Sequence, residues 1–162
     1  MGSTPKYLRE LDLLIGEWKG RGVADFPTID RVEYTEELRV EWDPGREVLC
    51  YEQRVVLSDG RPSHRETGFI RELPEGDVEL WNAQDNGRTE VLRGSSSWDE
   101  SAGELVVDLR SVVFGNDPRM LESRRLLRVG AERLGYDLLM ATTTTAELSV
   151  LPHLRCDLAR VS

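Results

Sequence analysis

Hydrophobic residues in this chain recur at every second position over long stretches, and that period limits the fold more than any other feature. Leu38, Val40 and Trp42 alternate with Arg39 and Glu41. Leu49, Tyr51, Gln53, Val55 and Leu57 form a second such face, and Leu105, Val107 and Leu109 a third. Leu134, Tyr136, Leu138 and Met140 form a fourth. Successive side chains of a strand point to opposite faces, so each run reads as a strand with one dry face. Turn-forming segments separate the runs: Asp43-Pro44-Gly45, Ser58-Asp59-Gly60, Pro74-Glu75-Gly76, Asp85-Asn86-Gly87, Ser101-Ala102-Gly103 and Val129-Gly130-Ala131-Glu132. Several suit hairpin connections. The spacing predicts about eight to ten antiparallel strands in one meander. An open sheet of that length would leave bare edges and one wet face. The expected fold is therefore all-β, a closed antiparallel up-and-down barrel. Thr142 to Thr145 are β-branched and read as strand. Only the start differs: Tyr7, Leu8, Leu11, Leu14 and Ile15 recur at helical spacing before Gly16, which predicts a short N-terminal helix.

The 162 residues suit one domain over 1–162. Lys and Arg total 21 against 30 Asp and Glu, a net charge of −9. That balance argues against nucleic acid or an anionic membrane surface as partner. No apolar run is long enough to span a bilayer, and no secretory leader is expected at the start. Cys50 and Cys156 form no CxxC pair, so neither structural zinc nor a disulfide scaffold is expected, and the cytoplasm is the expected compartment.

A barrel of this size either fills with side chains or holds one small ligand, and periodicity leaves both open. Gly16-Glu17-Trp18-Lys19-Gly20-Arg21-Gly22 is glycine-rich but lacks the spacing of a phosphate loop or a dinucleotide fold. Trp18 reads either as the closure of one barrel end or as a ligand contact. There are only two histidines, His64 and His153. Without HExxH, HxH or GxSxG, neither a protein-bound zinc or iron triad nor a Ser-His-Asp triad is supported. One imidazole is enough to hold a heme iron, because the porphyrin supplies the other four nitrogens. Heme is thus the one metal cofactor this inventory supports. By residue type alone, His153 is either an ordinary strand side chain or a ligand. His64 is either a local hydrogen-bond partner or a donor at a cavity mouth. Glu36-Glu37 and Arg124-Arg125 split between faces as strand neighbours, and the charge runs read as a solvated outer face.

Taken in order, several strings resemble the nitrobindin family, heme-binding β-barrels related in shape to fatty-acid-binding proteins. They are Leu14-Ile15-Gly16-Glu17-Trp18-Lys19-Gly20-Arg21-Gly22, Phe26-Pro27-Thr28-Ile29, Tyr34-Thr35-Glu36-Glu37, His64-Arg65-Glu66-Thr67-Gly68-Phe69, Ala83-Gln84-Asp85-Asn86-Gly87, Met140-Ala141-Thr142-Thr143-Thr144 and Pro152-His153-Leu154. The resemblance implies a barrel of about ten strands with heme b near its mouth. It implies that His153 is the axial iron ligand, that Thr28 contacts heme, and that His64, Gln84 and Met140 line the pocket. It further implies a ferric heme that binds nitric oxide and isomerises peroxynitrite to nitrate, with those small molecules as partners. The stretch from Met140 to His153 is a few residues longer than the family pattern. An odd register shift there is expected to turn His153 outward. Ser63 stands where some relatives carry methionine. The alternative function is a heme-free carrier of a fatty acid or similar apolar ligand, and a third is an interaction module with a filled barrel.

Overall fold

The computed structural model describes residues 11–162. A single 3-10 turn, Leu11–Leu14, precedes the strands. The ten strands are β1 (Gly16–Phe26), β2 (Ile29–Asp43), β3 (Val48–Leu57), β4 (Pro62–Glu72), β5 (Val78–Gln84), β6 (Thr89–Asp99), β7 (Glu104–Gly115), β8 (Met120–Val129), β9 (Arg133–Thr142) and β10 (Leu151–Arg160). Each pairs antiparallel with its sequence neighbours, and β1 pairs with β10 to close the barrel. The six turn segments read from the sequence fall at the connections between these strands, with Asp43 and Val129 as the last residues of β2 and β8.

Two local expectations are corrected. The N-terminal helix is only the 3-10 turn within the described residues, and Tyr7 and Leu8 lie outside them. The threonine run is not strand throughout, because β9 ends at Thr142. Thr145 Oγ1 donates to the Thr142 carbonyl at 3.3 Å and to the Glu147 carbonyl at 2.5 Å, while the Thr142 and Thr144 hydroxyls lie 2.8 Å apart. Short hydroxyl side chains offer the backbone a local partner that competes with the sheet ladder, and here that partner wins.

Period-two burial fills the closed end of the barrel. Trp18, Leu49, Leu92, Leu105, Leu134 and Val40 are among the most buried residues. Trp18 is 0% exposed, and its Nε1 donates to the Leu14 carbonyl at 2.9 Å. The Arg160 guanidinium lies 4.0 Å from the centre of the Trp18 ring and also bonds the carbonyls of Leu13, Ile15 and Ala131. Trp18 therefore closes this end, one of the two roles open to it from sequence. Gly20 and Gly22 permit close approach: a Cβ on Gly20 would sit 2.0 Å from the Asp157 carbonyl oxygen, and one on Gly22 would sit 2.3 Å from the Tyr34 ring.

At the opposite end the ladder is irregular. Single-residue shifts interrupt the pairing at Ser63 in β4, Val112 in β7, Leu121 in β8 and His153 in β10. Bulges of this kind collect at barrel rims and re-aim side chains there.

Candidate functional site

The open end holds a cavity of about 310 Å³, so the barrel is not filled by its own side chains. Its upper wall is largely apolar: Ala24, Ile29, Val32, Leu138, Met140 and Leu154. Its floor is polar and includes Tyr34, Gln53, Glu66, Glu90, Arg125 and Tyr136.

His153 reaches this cavity because of the bulge. Leu154, Cys156 and Leu158 share the inward face of β10, so strict alternation would send His153 outward with Arg155 and Asp157. Pro152 pairs with Leu139, yet Leu154 pairs with the next residue, Leu138, and His153 is the extra residue between them. Both His153 and Leu154 then line the cavity. The expectation that an odd register shift would turn the ring outward is thus reversed: the shift turns it inward. The lengthened segment before it, residues 143–150, forms the loop that leads into this bulge.

The His153 ring is held edge-on by Phe26, with centroids 5.2 Å apart and an interplanar angle of 79°. Its Nδ1 is buried with no hydrogen-bond partner. Burial, with the positive charge of Arg88 and the nearby His64, brings its pKa down to about 4. The ring is therefore neutral at pH 7, the state in which imidazole has a lone pair for a metal.

His64, Gln84 and Met140 line the same cavity, so the structure brings four of the five sequence-chosen residues together. Thr28 is not among the lining residues. It is exposed in the β1–β2 turn, between Phe26 and the rim residue Ile29. His64 Nε2 lies 3.4 Å from Glu66 Oε2, and its Nδ1 lies 3.8 Å from Asp85 Oδ1.

The polar floor went unseen in the sequence. Arg125 bonds both Glu66 oxygens, at 2.7 and 3.0 Å, and also bonds Glu90. Glu90 accepts further bonds from Asn82, Gln84 and Ser123. Burial pushes the Glu66 carboxyl up, but the Arg125 charge with bonds from His64, Arg125 and Tyr51 outweighs it and holds the group far below the carboxylate range. Glu36 is different. It accepts from Gln53 at 2.9 Å and from Tyr136 at 2.5 Å, yet burial dominates and its pKa is raised. The reading of the charge runs as a solvated outer face is corrected for Glu36, Glu66, Glu90 and Arg125. The signal was parity: Glu66 shares a face with Gly68 and Ile70, and Arg125 with Ser123 and Leu127.

The site fits a heme. One neutral imidazole with an unengaged buried nitrogen projects among apolar walls at an open mouth, and a porphyrin needs just one protein nitrogen. Among the described residues no group of three or more His, Cys, Asp or Glu is placed to hold a bare metal ion.

The model of the THAP4-like, heme-binding beta-barrel domain matches residues 7–160. The chain belongs to that family. A peroxynitrite isomerase of Arabidopsis thaliana is 33% identical over 156 residues, covering 96% of this chain and 89% of its own length. Peroxynitrite isomerase 1 of Rhodococcus jostii is 39% identical over 148 residues, covering 88% of this chain and 80% of its own. The crystal structure of Rv2717c from M. tuberculosis superposes with a TM-score of 0.88 at 29% identity, covering 99% of this chain and 100% of that one. The fold is thus shared with that solved structure over nearly the whole length. No helix of the described residues is long and apolar enough to cross a membrane.

Proposed function

We propose that this THAP4-like barrel binds heme b through His153 and isomerises peroxynitrite to nitrate, with nitric oxide as a second ligand. The observation that carries the reading is the bulge that aims a neutral, unengaged imidazole into the cavity. The relatives named peroxynitrite isomerase support the reaction.

Within this reading His153 would hold the heme iron, and Phe26 would fix its ring plane. Met140, Leu138 and Leu154 would exclude water from the bound group. His64 and Gln84 set the polar edge, and Thr28 meets the heme at the rim. When bound, the heme supplies the metal centre at which the peroxynitrite rearranges; the protein supplies ligation, shape and limited water access. The rearrangement of peroxynitrite to nitrate needs no net proton. Residues 1–162 act as one domain, and two free cysteines, Cys50 and Cys156, suit the reducing cytoplasm.

The test is titration with hemin. A stoichiometric Soret band is expected for the wild type and is lost in His153→Ala, with peroxynitrite decay accelerated only by the loaded wild type. A Soret band of equal position and intensity in His153→Ala would refute the ligation.

A further inference from the structure

We propose that Arg88 is the anion-recognition residue of the cavity mouth and pairs with a carboxylate of the bound ligand. This rests on the heme reading above and adds to it a residue with a defined partner chemistry.

Arg88 follows the Asp85–Gly87 turn between β5 and β6, at the open end of the barrel. It lines the cavity, and its side chain is only 17% exposed. Its donors face weak, neutral acceptors: Nε donates to Gln84 Oε1 at 3.1 Å, and Nη1 lies 2.8 Å from Met120 Sδ. The nearest carboxylate oxygen, Asp117 Oδ2, is 3.8 Å away. Asp117 is already clasped by Arg119, at 2.9 and 3.0 Å. Arg125 deeper in the barrel has two carboxylates of its own, Glu66 and Glu90. Arg88 is thus a largely buried guanidinium whose counter-charge, 3.8 Å away, is shared with Arg119.

A guanidinium in that state favours an incoming anion, and its planar fork matches a carboxylate. The ligand's chemistry meets it from the other side. A ligand whose apolar body lies against Leu138, Met140 and Leu154 cannot bury its acid groups unpaired. They must point to the mouth, where Arg88 sits. Two sources present this chemistry: the propionates of a heme and the head of a fatty acid.

The experiment crosses a residue change with a ligand change. Hemin and hemin dimethyl ester, whose propionates are masked, are titrated into wild type, Arg88→Gln and Arg88→Lys, and affinity is read from the Soret band. Wild type is expected to favour free hemin over the ester by about fivefold, the upper scale of one partly exposed ion pair. Arg88→Gln is expected to lose that preference by weakening hemin alone, and Arg88→Lys to keep part of it. Equal weakening of both ligands in Arg88→Gln, or an unchanged preference, would overturn the assignment. A wild type with no Soret band for either ligand would defeat the heme reading instead. Oleate and methyl oleate then decide, by displacement of a fluorescent fatty acid. A preference for the free acid that Arg88→Gln abolishes keeps Arg88 with an acyl ligand; no such preference overturns it.

Discussion

The Phe26 ring stands at 79° to the His153 ring with centroids 5.2 Å apart, beside an imidazole whose Nδ1 is buried without a hydrogen-bond partner. Phe26 is 4% exposed and belongs to a small apolar cluster with Met120 and Met140, apart from the main core. Phe26→Ala removes both the edge-to-face contact and the fill. It is expected to cost about 3 kcal/mol in urea unfolding, the usual range for a buried Phe truncation. Hemin affinity should fall with it, because the ring is no longer held in one plane. Phe26→Leu should recover most of the stability and less of the affinity. Equal recovery of both would mean that Phe26 serves packing alone.

The bulge predicts a result that composition cannot. Deleting Pro152 removes one residue before His153, so that regular pairing resumes and His153 takes the outward position now held by Pro152. The barrel should still fold, since proline gives no hydrogen bond to the ladder. Far-ultraviolet circular dichroism should match wild type, and the Soret band should vanish although the histidine remains. A retained band in the deletion variant would show that the bulge does not govern ligation.

The strands and their closure were legible because period-two burial and turn chemistry are local. Leu49 to Leu57 and Leu134 to Met140 needed no knowledge of partners. The bulge at His153 was half legible: the lengthened segment pointed to an odd register shift, but its sense is set between strands, and only the pairing of Leu154 with Leu138 reveals that it turns the ring inward. The interior charges were half legible. Parity placed Glu36 and Arg125 on one face of their strands but not on which face. Their charge suggested water, and only the convergence of β4 and β6 on Arg125, and of β3 and β9 on Glu36, supplies the partners that make burial tolerable. Thr142 to Thr145 misled because β-branching favours strand while hydroxyls favour local turns, and the second effect prevailed.

Arg125 should be among the costliest positions in the barrel. It neutralises Glu66 and Glu90, whose side chains are 2% and 3% exposed. Arg125→Met keeps the bulk and strands two buried carboxylates. The expected loss at pH 7 is about 3–5 kcal/mol by urea unfolding, the range for breaking a buried pair from one side. Adding Glu66→Gln and Glu90→Gln to Arg125→Met should restore most of that loss. If the triple variant is no more stable than Arg125→Met, charge burial is not what Arg125 relieves.

Glu36 and Glu66 should give the barrel opposite responses to pH. Glu36 faces Gln53, Tyr136 and Cys156, with Tyr34 and Glu66 nearby, and burial raises its pKa. The folded state therefore binds its proton more tightly than the unfolded chain, in which a glutamate titrates near 4.3. Its contribution is fully present below that value and is lost as pH rises through the folded pKa. Glu66 is held low, so its contribution is present above the ordinary carboxylate range and is lost only as pH falls. The difference in unfolding free energy between Glu36→Gln and wild type should grow in favour of the variant from pH 5 to pH 8. For Glu66→Gln the difference should move in favour of the variant as pH falls below about 4.3. Parallel curves for Glu36→Gln and wild type across that range would show that burial does not set the Glu36 proton affinity.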